Sequence, residues 1–191
     1  MSLPVEQIYC DRCDFRSNTM VTWGNYSYRL ADGRPAPLFR APGWCHACSD
    51  IVPVENFEDR DRIEGELGEF ERRLMESAPT GLARLLLWKR NNARYEQEHW
   101  QQELEEALNR RDFLSQRQNP PRCLKCADTA IVPLRYVTPA AGRPAVRIDF
   151  VHPGCGGSLW IVSDGLRVAM KLGELLTYDG QGCRLGRDTV S

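Results

Sequence analysis

The chain has 191 residues, and no apolar run in it approaches the roughly 18 residues that would carry a helix across a bilayer. Its first residues, Met1 to Cys10, lack a basic stretch followed by an apolar one, so a secretory leader is not expected. Charge of one sign is also missing: the net charge is −1, which argues against a general polyanion binder. The sequence contains no His-x-Glu, no His-Glu-x-x-His, no Gly-x-x-x-x-Gly-Lys-Ser/Thr and no Gly-x-Ser-x-Gly. The recognised signatures of nucleobase deaminases, zinc proteases, P-loop nucleotide binders and serine hydrolases are thus absent. Proline is scarce in one place only. Between residues 55 and 119 it occurs once, at Pro79, whereas the flanking segments are rich in proline and glycine.

What is present is cysteine in pairs. Cys10-x-x-Cys13, Cys45-x-x-Cys48, Cys123-x-x-Cys126 and His152-x-x-Cys155 are four hooks of identical spacing. A two-residue spacer folds two ligands onto one side of a tight turn, at the separation a single zinc ion requires, and two such hooks close one tetrahedral site. With no leader, eight cysteines are expected to be thiolates in a reducing, cytoplasmic compartment rather than disulfides. Reading along the chain, the expectation is one complete site near each end: Cys10, Cys13, Cys45 and Cys48 at the first, Cys123, Cys126, His152 and Cys155 at the second. A competing second set replaces His152 by Cys183, giving two four-cysteine sites. His46 falls between two ligands and is expected to point outward.

Composition divides the chain into residues 1–54, 55–119 and 120–191. The middle segment carries 11 basic and 15 acidic side chains against 5 and 5 before it and 9 and 6 after it. The outer segments share a weak repeat of hook, β-prone run, Gly-Arg-Pro-Ala turn, β-prone run and hook, with Gly33-Arg34-Pro35-Ala36 and Gly142-Arg143-Pro144-Ala145 in matching places. Both ends resemble zinc ribbons, the rubredoxin-like arrangement of two knuckles on β-hairpins. His152-Pro153-Gly154-Cys155-Gly156-Gly157 is similar to the Cys-Pro-x-Cys-Gly knuckle of that superfamily, with His in the first ligand position. The resemblance covers the outer segments alone and implies fold and metal, not activity. A further hairpin is expected at the tail, from Leu159–Ser163 through an Asp164-Gly165 turn to Leu166–Met170.

The middle segment predicts a helical hairpin. Ile63, Leu67, Phe70 and Leu74 form a narrow seam of coiled-coil type, Ser77 to Gly81 supplies a turn, and a second arm runs from Leu82 to Gln118 before Asn119-Pro120-Pro121. Its distal part, with Leu104, Ala107, Leu108 and Leu114, has no evident partner in the hairpin. Gly65 and Gly68 either admit a close neighbour or weaken the first arm. Leu85, Leu87 and Trp88 are apolar on more than one face, which suggests a docking or dimer surface.

These features predict an α+β protein: two zinc ribbons flanking an inserted helical hairpin, held by two structural zinc ions per chain. No acid, base and nucleophile set stands out, so a non-catalytic scaffold or adaptor is expected, its helical arm engaging a protein partner or a second copy. An alternative is nucleic-acid binding through Trp23, Tyr26, Tyr28 and Arg29, which interleave aromatic and basic groups. A third is a thiol redox or metal-responsive switch.

Overall fold

The computed structural model describes residues 2–57, 60–77, 87–169, 171 and 173–185, with side chains for all of these except 2–4, 60 and 87–93. Among the described residues the architecture is mixed α+β, with two helices and three small sheets. No described helix is long and apolar enough to cross a membrane.

The first sheet has the order β2-β1-β9-β8, from β1 (Ser2–Cys10), β2 (Arg16–Asn18), β8 (Val146–Val151) and β9 (Ser158–Ala169), all antiparallel. The tail is therefore not a hairpin. β9 runs unbroken through Asp164-Gly165 because β1 pairs with it from Leu159 to Ala169. The expected turn survives as an irregularity: register shifts between Pro4 and Glu6, opposite Arg167 and Ser163, and Gly165 takes a φ of 79°. A long-range ladder has overridden a local hairpin signal.

The second sheet joins β10 (Leu175–Asp179), β3 (Asn25–Arg29) and β4 (Pro35–Pro37); β10 and β3 are parallel. The third joins β6 (Asp50–Glu55), β5 (Arg40–Cys45) and β7 (Ile131–Pro133). The first Gly-Arg-Pro-Ala segment does turn a hairpin, β3 to β4. The second does not: β7 pairs with β5 and β8 with β9, so the repeat in sequence is not a repeat in pairing.

The helices are α1 (Arg60–Ser77) and α2 (Leu87–Gln116). They pack along the expected seam: Ile63 and Leu67 of α1 are buried with Ala107 of α2, against Phe70, Leu104, Leu108 and Leu114. Nearer the arm's tip, Phe70 stacks on Trp100, whose face also carries the Arg73 guanidinium at 4.6 Å. The distal part of α2 thus has two partners: the start of α1 and the second sheet. Asn109 accepts from Arg34 Nη1 at 2.6 Å and donates to the Pro35 carbonyl at 3.0 Å, and Phe113 stacks on Tyr28 with ring centroids 3.9 Å apart. A Cβ added at Gly65 or Gly68 would meet nothing within 4 Å, so these glycines weaken α1 without admitting a neighbour.

A buried ion pair locks the end of α2 to β6. Arg117 Nη2 donates to Glu55 Oε2 at 2.6 Å, and both side chains are almost wholly shielded from solvent. Glu55 also accepts from the Tyr28 hydroxyl at 2.6 Å and the Arg122 N–H at 2.8 Å. Such a carboxylate is stable only because each of its partners points at it.

Candidate metal centres

Three of the four knuckles lie at the end of a strand. Cys10 closes β1 and Cys13 follows in the turn to β2; His152 follows β8 and Cys155 precedes β9. Because β1 and β9 are neighbours, these two knuckles meet. Cys45 closes β5 and Cys48 lies in the turn to β6, while Cys123 makes an isolated bridge to Val54 of β6 and the chain runs on to β7 beside β5. These two knuckles also meet. The structure therefore forms an outer group, Cys10, Cys13, His152 and Cys155, and an inner group, Cys45, Cys48, Cys123 and Cys126, with the ligand atoms of each group all within 4.8 Å of one another. This corrects the expectation of one complete site near each end. Ligand choice follows sheet neighbours, and the sheets pair the chain's two ends.

The fit to a metal can be tested on the distances. Ligands about 2.1–2.3 Å from a shared tetrahedral centre stand about 3.5–3.8 Å apart. In the outer group Cys10 Sγ is 3.4 Å from Cys155 Sγ, and Cys13 Sγ is 3.5 Å from Cys155 Sγ. His152 Nδ1 is 3.3 Å from Cys13 Sγ and 3.2 Å from Cys155 Sγ. In the inner group Cys45 Sγ is 3.5 Å from Cys126 Sγ, and Cys48 Sγ is 3.9 Å from Cys123 Sγ. The donor sets, three thiols with one imidazole and four thiols, suit zinc or another thiophilic ion. Cys183 belongs to neither group; it is exposed, and its Sγ receives Arg122 Nη1 at 3.5 Å. His46 is exposed as well.

Local backbone geometry serves the sulfurs. Arg12 N–H donates to Cys10 Sγ, and Lys125 N–H to Cys123 Sγ, each at 3.4 Å. The residue after the second ligand is left-handed in three knuckles: Gly156 at φ 68°, but also Ala127 at 63° and Ser49 at 50°. Two non-glycine residues thus hold a conformation that glycine adopts at no steric cost. Gly157 is needed for space, since a Cβ there would lie 2.5 Å from Cys10 Sγ. Gly43 is needed likewise, as its Cβ would collide with the Val54 side chain.

Burial pushes the Cys123 thiol up to about 11. Burial also works to raise Cys10, but the Arg12 N–H and neighbouring thiols outweigh it and the net direction is down. Four thiols this close resist joint ionisation unless a cation neutralises them, so a metal would take over the charge and displace protons.

The residues around the ligands were not foreseen from sequence. Buried His152 is held between Phe15, with ring centroids 4.8 Å apart, and Trp44, edge-on at 5.1 Å. Trp44 immediately precedes Cys45, so one indole touches a ligand of the outer group and adjoins a ligand of the inner one. It sits in the main core with Ile8, Ile51, Leu134, Ile148, Leu159 and Ile161. Asp11 ties the outer knuckles together, accepting from Ser158 N–H at 2.8 Å and Trp160 Nε1 at 3.3 Å. The Ser158 and Trp160 donors hold its carboxyl below the ordinary range. The hook spacing was the only sequence signal here, and it carries no information about these neighbours.

The other candidate residues are dispersed. Tyr28 is 2% exposed, with its hydroxyl on Glu55. Tyr26 stacks on Tyr178 beneath the Arg40 guanidinium, and Trp23 Nε1 donates to the Lys171 carbonyl at 3.2 Å. Arg29 is exposed on the opposite face of β3 from both tyrosines. The four do not make one surface. Leu85 and the side chains of Leu87 and Trp88 lie outside the described residues. Comparison with protein-family models, with curated proteins and with solved structures found no match to this chain in any of the three.

Proposed function

We propose that this protein is a non-catalytic, zinc-binding scaffold, built on two structural zinc ions and using the α1–α2 arm to engage a protein partner or a second copy. The observation that carries the reading is the closure of both ligand groups. Each presents four protein ligands, rich in thiolate, within 4.8 Å, whereas catalytic zinc keeps a position for water or substrate. Zinc bound this way would supply folding energy, about 10–16 kcal/mol of apparent binding per site. In finer terms the two clusters act as zinc-ribbon-like bases, and the helical pair, packed on the second sheet, presents the contact surface. Support for the arm as the contact surface comes from Met75 and Tyr95, 73% and 74% exposed near its tip, beside the Trp100 and Arg73 stack. Tyr95, Trp100 and Arg73 line one open groove between the helices, a shape that suits a partner's side chain.

The test is metal content by mass spectrometry together with light scattering, and pull-down with and without charge reversal along α1. Two zincs per chain in a defined oligomer, or a partner lost on reversal, is the expected result. A monomer that captures nothing, or partners indifferent to the arm, overturns it.

A further inference from the structure

The pairing register of the first sheet brings together four side chains that are far apart in sequence. Arg16 of β2 stands opposite Tyr9 of β1, Tyr9 opposite Trp160 of β9, and Trp160 opposite Arg147 of β8. Directly paired residues of antiparallel strands point to the same side of the sheet. The result is one row, Arg-Tyr-Trp-Arg, across all four strands. At about 4.8 Å between strands the row spans about 14 Å.

The row lies on the sheet's outer face. Its neighbours on the other face, Ile8 and Ile161, are fully buried in the main core, whereas Arg16 and Arg147 are exposed and Tyr9 and Trp160 half-buried. Neither Tyr9 nor Trp160 belongs to any hydrophobic cluster among the described residues. The rings are held in place. Asp11 receives the indole N–H of Trp160, and the Arg16 guanidinium lies over the Tyr9 ring, 5.2 Å from its centroid. One step along, Gln7 pairs with both Asn18 and Val162 on the same face, which sets the Gln7 amide beside the rings, while Asn18 Oδ1 is taken up by the Met20 N–H at 2.9 Å. Arg12 is exposed at the adjoining knuckle, and Asp149 follows Arg147 on the outer side of β8.

We infer that this face binds single-stranded nucleic acid, with Trp160 and, once the Arg16 guanidinium swings off its ring and the Phe15 carbonyl, Tyr9 as stacking surfaces for two bases, and Arg16 and Arg147 as the phosphate contacts at either end. Two adjacent aromatics on an open sheet give each base a π-face without asking for its identity, and flanking guanidiniums match the charge of the backbone. The Gln7 amide can meet base edges. A duplex keeps its bases stacked on one another and offers only phosphate, so it gains half of these contacts. The local balance of charge, with Asp11 and Asp149 near three arginines, makes the rings rather than bulk electrostatics the main source of affinity. This inference goes beyond the scaffold reading and involves a surface other than the helical arm. Neither depends on the other.

The experiment uses the full chain with its metals in place and fluorescein-labelled 10-mers, oligouridylate and oligodeoxythymidylate, followed by anisotropy at low salt. The same mixed sequence is tested as single strand and duplex. Expected is saturable binding of a single strand, RNA or DNA, with duplex at least tenfold weaker. Trp160→Ala or Tyr9→Ala should lose at least about tenfold, and Arg16→Gln or Arg147→Gln should flatten the salt dependence by about 0.7 in log–log slope each. Tyr9→Phe keeps the π-face and should retain binding. Trp23→Ala, away from the row, should leave it unchanged. Metal content of every variant is measured, which separates loss of the surface from loss of the fold. No saturable binding at low salt, duplex bound as well as single strand, or full binding by a metal-loaded Trp160→Ala or Tyr9→Ala protein overturns the inference.

Discussion

The outer and inner ligand groups differ in how they are protected. The outer one holds a histidine sandwiched between Phe15 and Trp44, and its knuckles approach through Gly157. The inner one is all cysteine, leaves Cys126 exposed, and turns its chain on Ser49 and Ala127 where glycine would be unstrained. The first is packed into the main core; the second is backed by a small cluster of Val52 and Val54 with Cys45 and Cys123. Equal hook spacing therefore produces two centres of unequal burial and unequal backbone strain. Metal at the inner centre should be the more accessible to chelators and oxidants, because a ligand sulfur that water reaches is one that a competitor reaches.

The largest expected effect breaks the ligand pairing itself. Cys10→Ala should remove the metal shared with the His152 knuckle and leave the inner metal bound, and Cys123→Ala should do the reverse. Metal content should fall from two to one in each, with no cross-effect on the other group. Cobalt substitution sharpens the same comparison: His152→Cys should convert the outer absorption spectrum to that of a four-thiolate centre. If Cys10→Ala instead releases the metal from Cys45 and Cys48, the crossed arrangement fails.

Trp44→Ala should come next, at about 3–5 kcal/mol by denaturant unfolding, because it removes a large buried aromatic and exposes His152. Unlike the ligand variants it should loosen both centres, since Trp44 adjoins both.

Gly157→Ala should be confined to the outer centre. The new methyl would stand 2.5 Å from Cys10 Sγ, and outer metal affinity should fall roughly tenfold or more, measured by competition with a chelator. The inner affinity should not change.

Acidity should separate loaded from stripped protein. Metal binding displaces protons from the thiols, so affinity at both centres falls as pH falls. At the Cys123 thiol of the metal-free protein the sign reverses. Burial raises the Cys123 thiol from an ordinary 9.0 to about 11, so the folded state holds that proton more tightly than the unfolded one. The contribution is fully present below about pH 9 and is lost as pH rises towards 11. Thermal unfolding across pH 7–11, with and without chelator, measures it.

The smallest expected effect is a gain. Ala127→Gly and Ser49→Gly should stabilise by up to about 1 kcal/mol each, as both residues sit at positive φ. The same change has no counterpart at Gly156, where the outer knuckle already has glycine. A loss at Ala127 would mean that the inner turn is held by its side chain.

Much of the fold was legible because it rests on local chemistry. The seam of Ile63, Leu67, Phe70 and Leu74 identified α1, and Asn119-Pro120-Pro121 identified the end of α2. Hook spacing marked all eight ligand positions that the structure gathers into two groups. Illegible were β10, which pairs in parallel with β3 from 150 residues away in the chain, and the continuity of β9 through Asp164-Gly165. Both depend on a strand that no local window contains. The roles of Tyr26 and Tyr28, offered as an alternative nucleic-acid surface, were open for the same reason, since alternation along β3 does not say which face the helix α2 and Glu55 will cover.

The sequence by itself determined which atoms can hold metal, that the middle segment is helical and stops before Asn119-Pro120-Pro121, and that the chain is α+β, because spacing, periodicity and proline act over a few residues. Only tertiary structure decided which hook closes with which, what shields His152, and that Arg16, Tyr9, Trp160 and Arg147 form one row. Those outcomes follow from strand register between the two ends of the chain. Register is set by burying one face of each sheet, a condition that exists only once all the strands are in place.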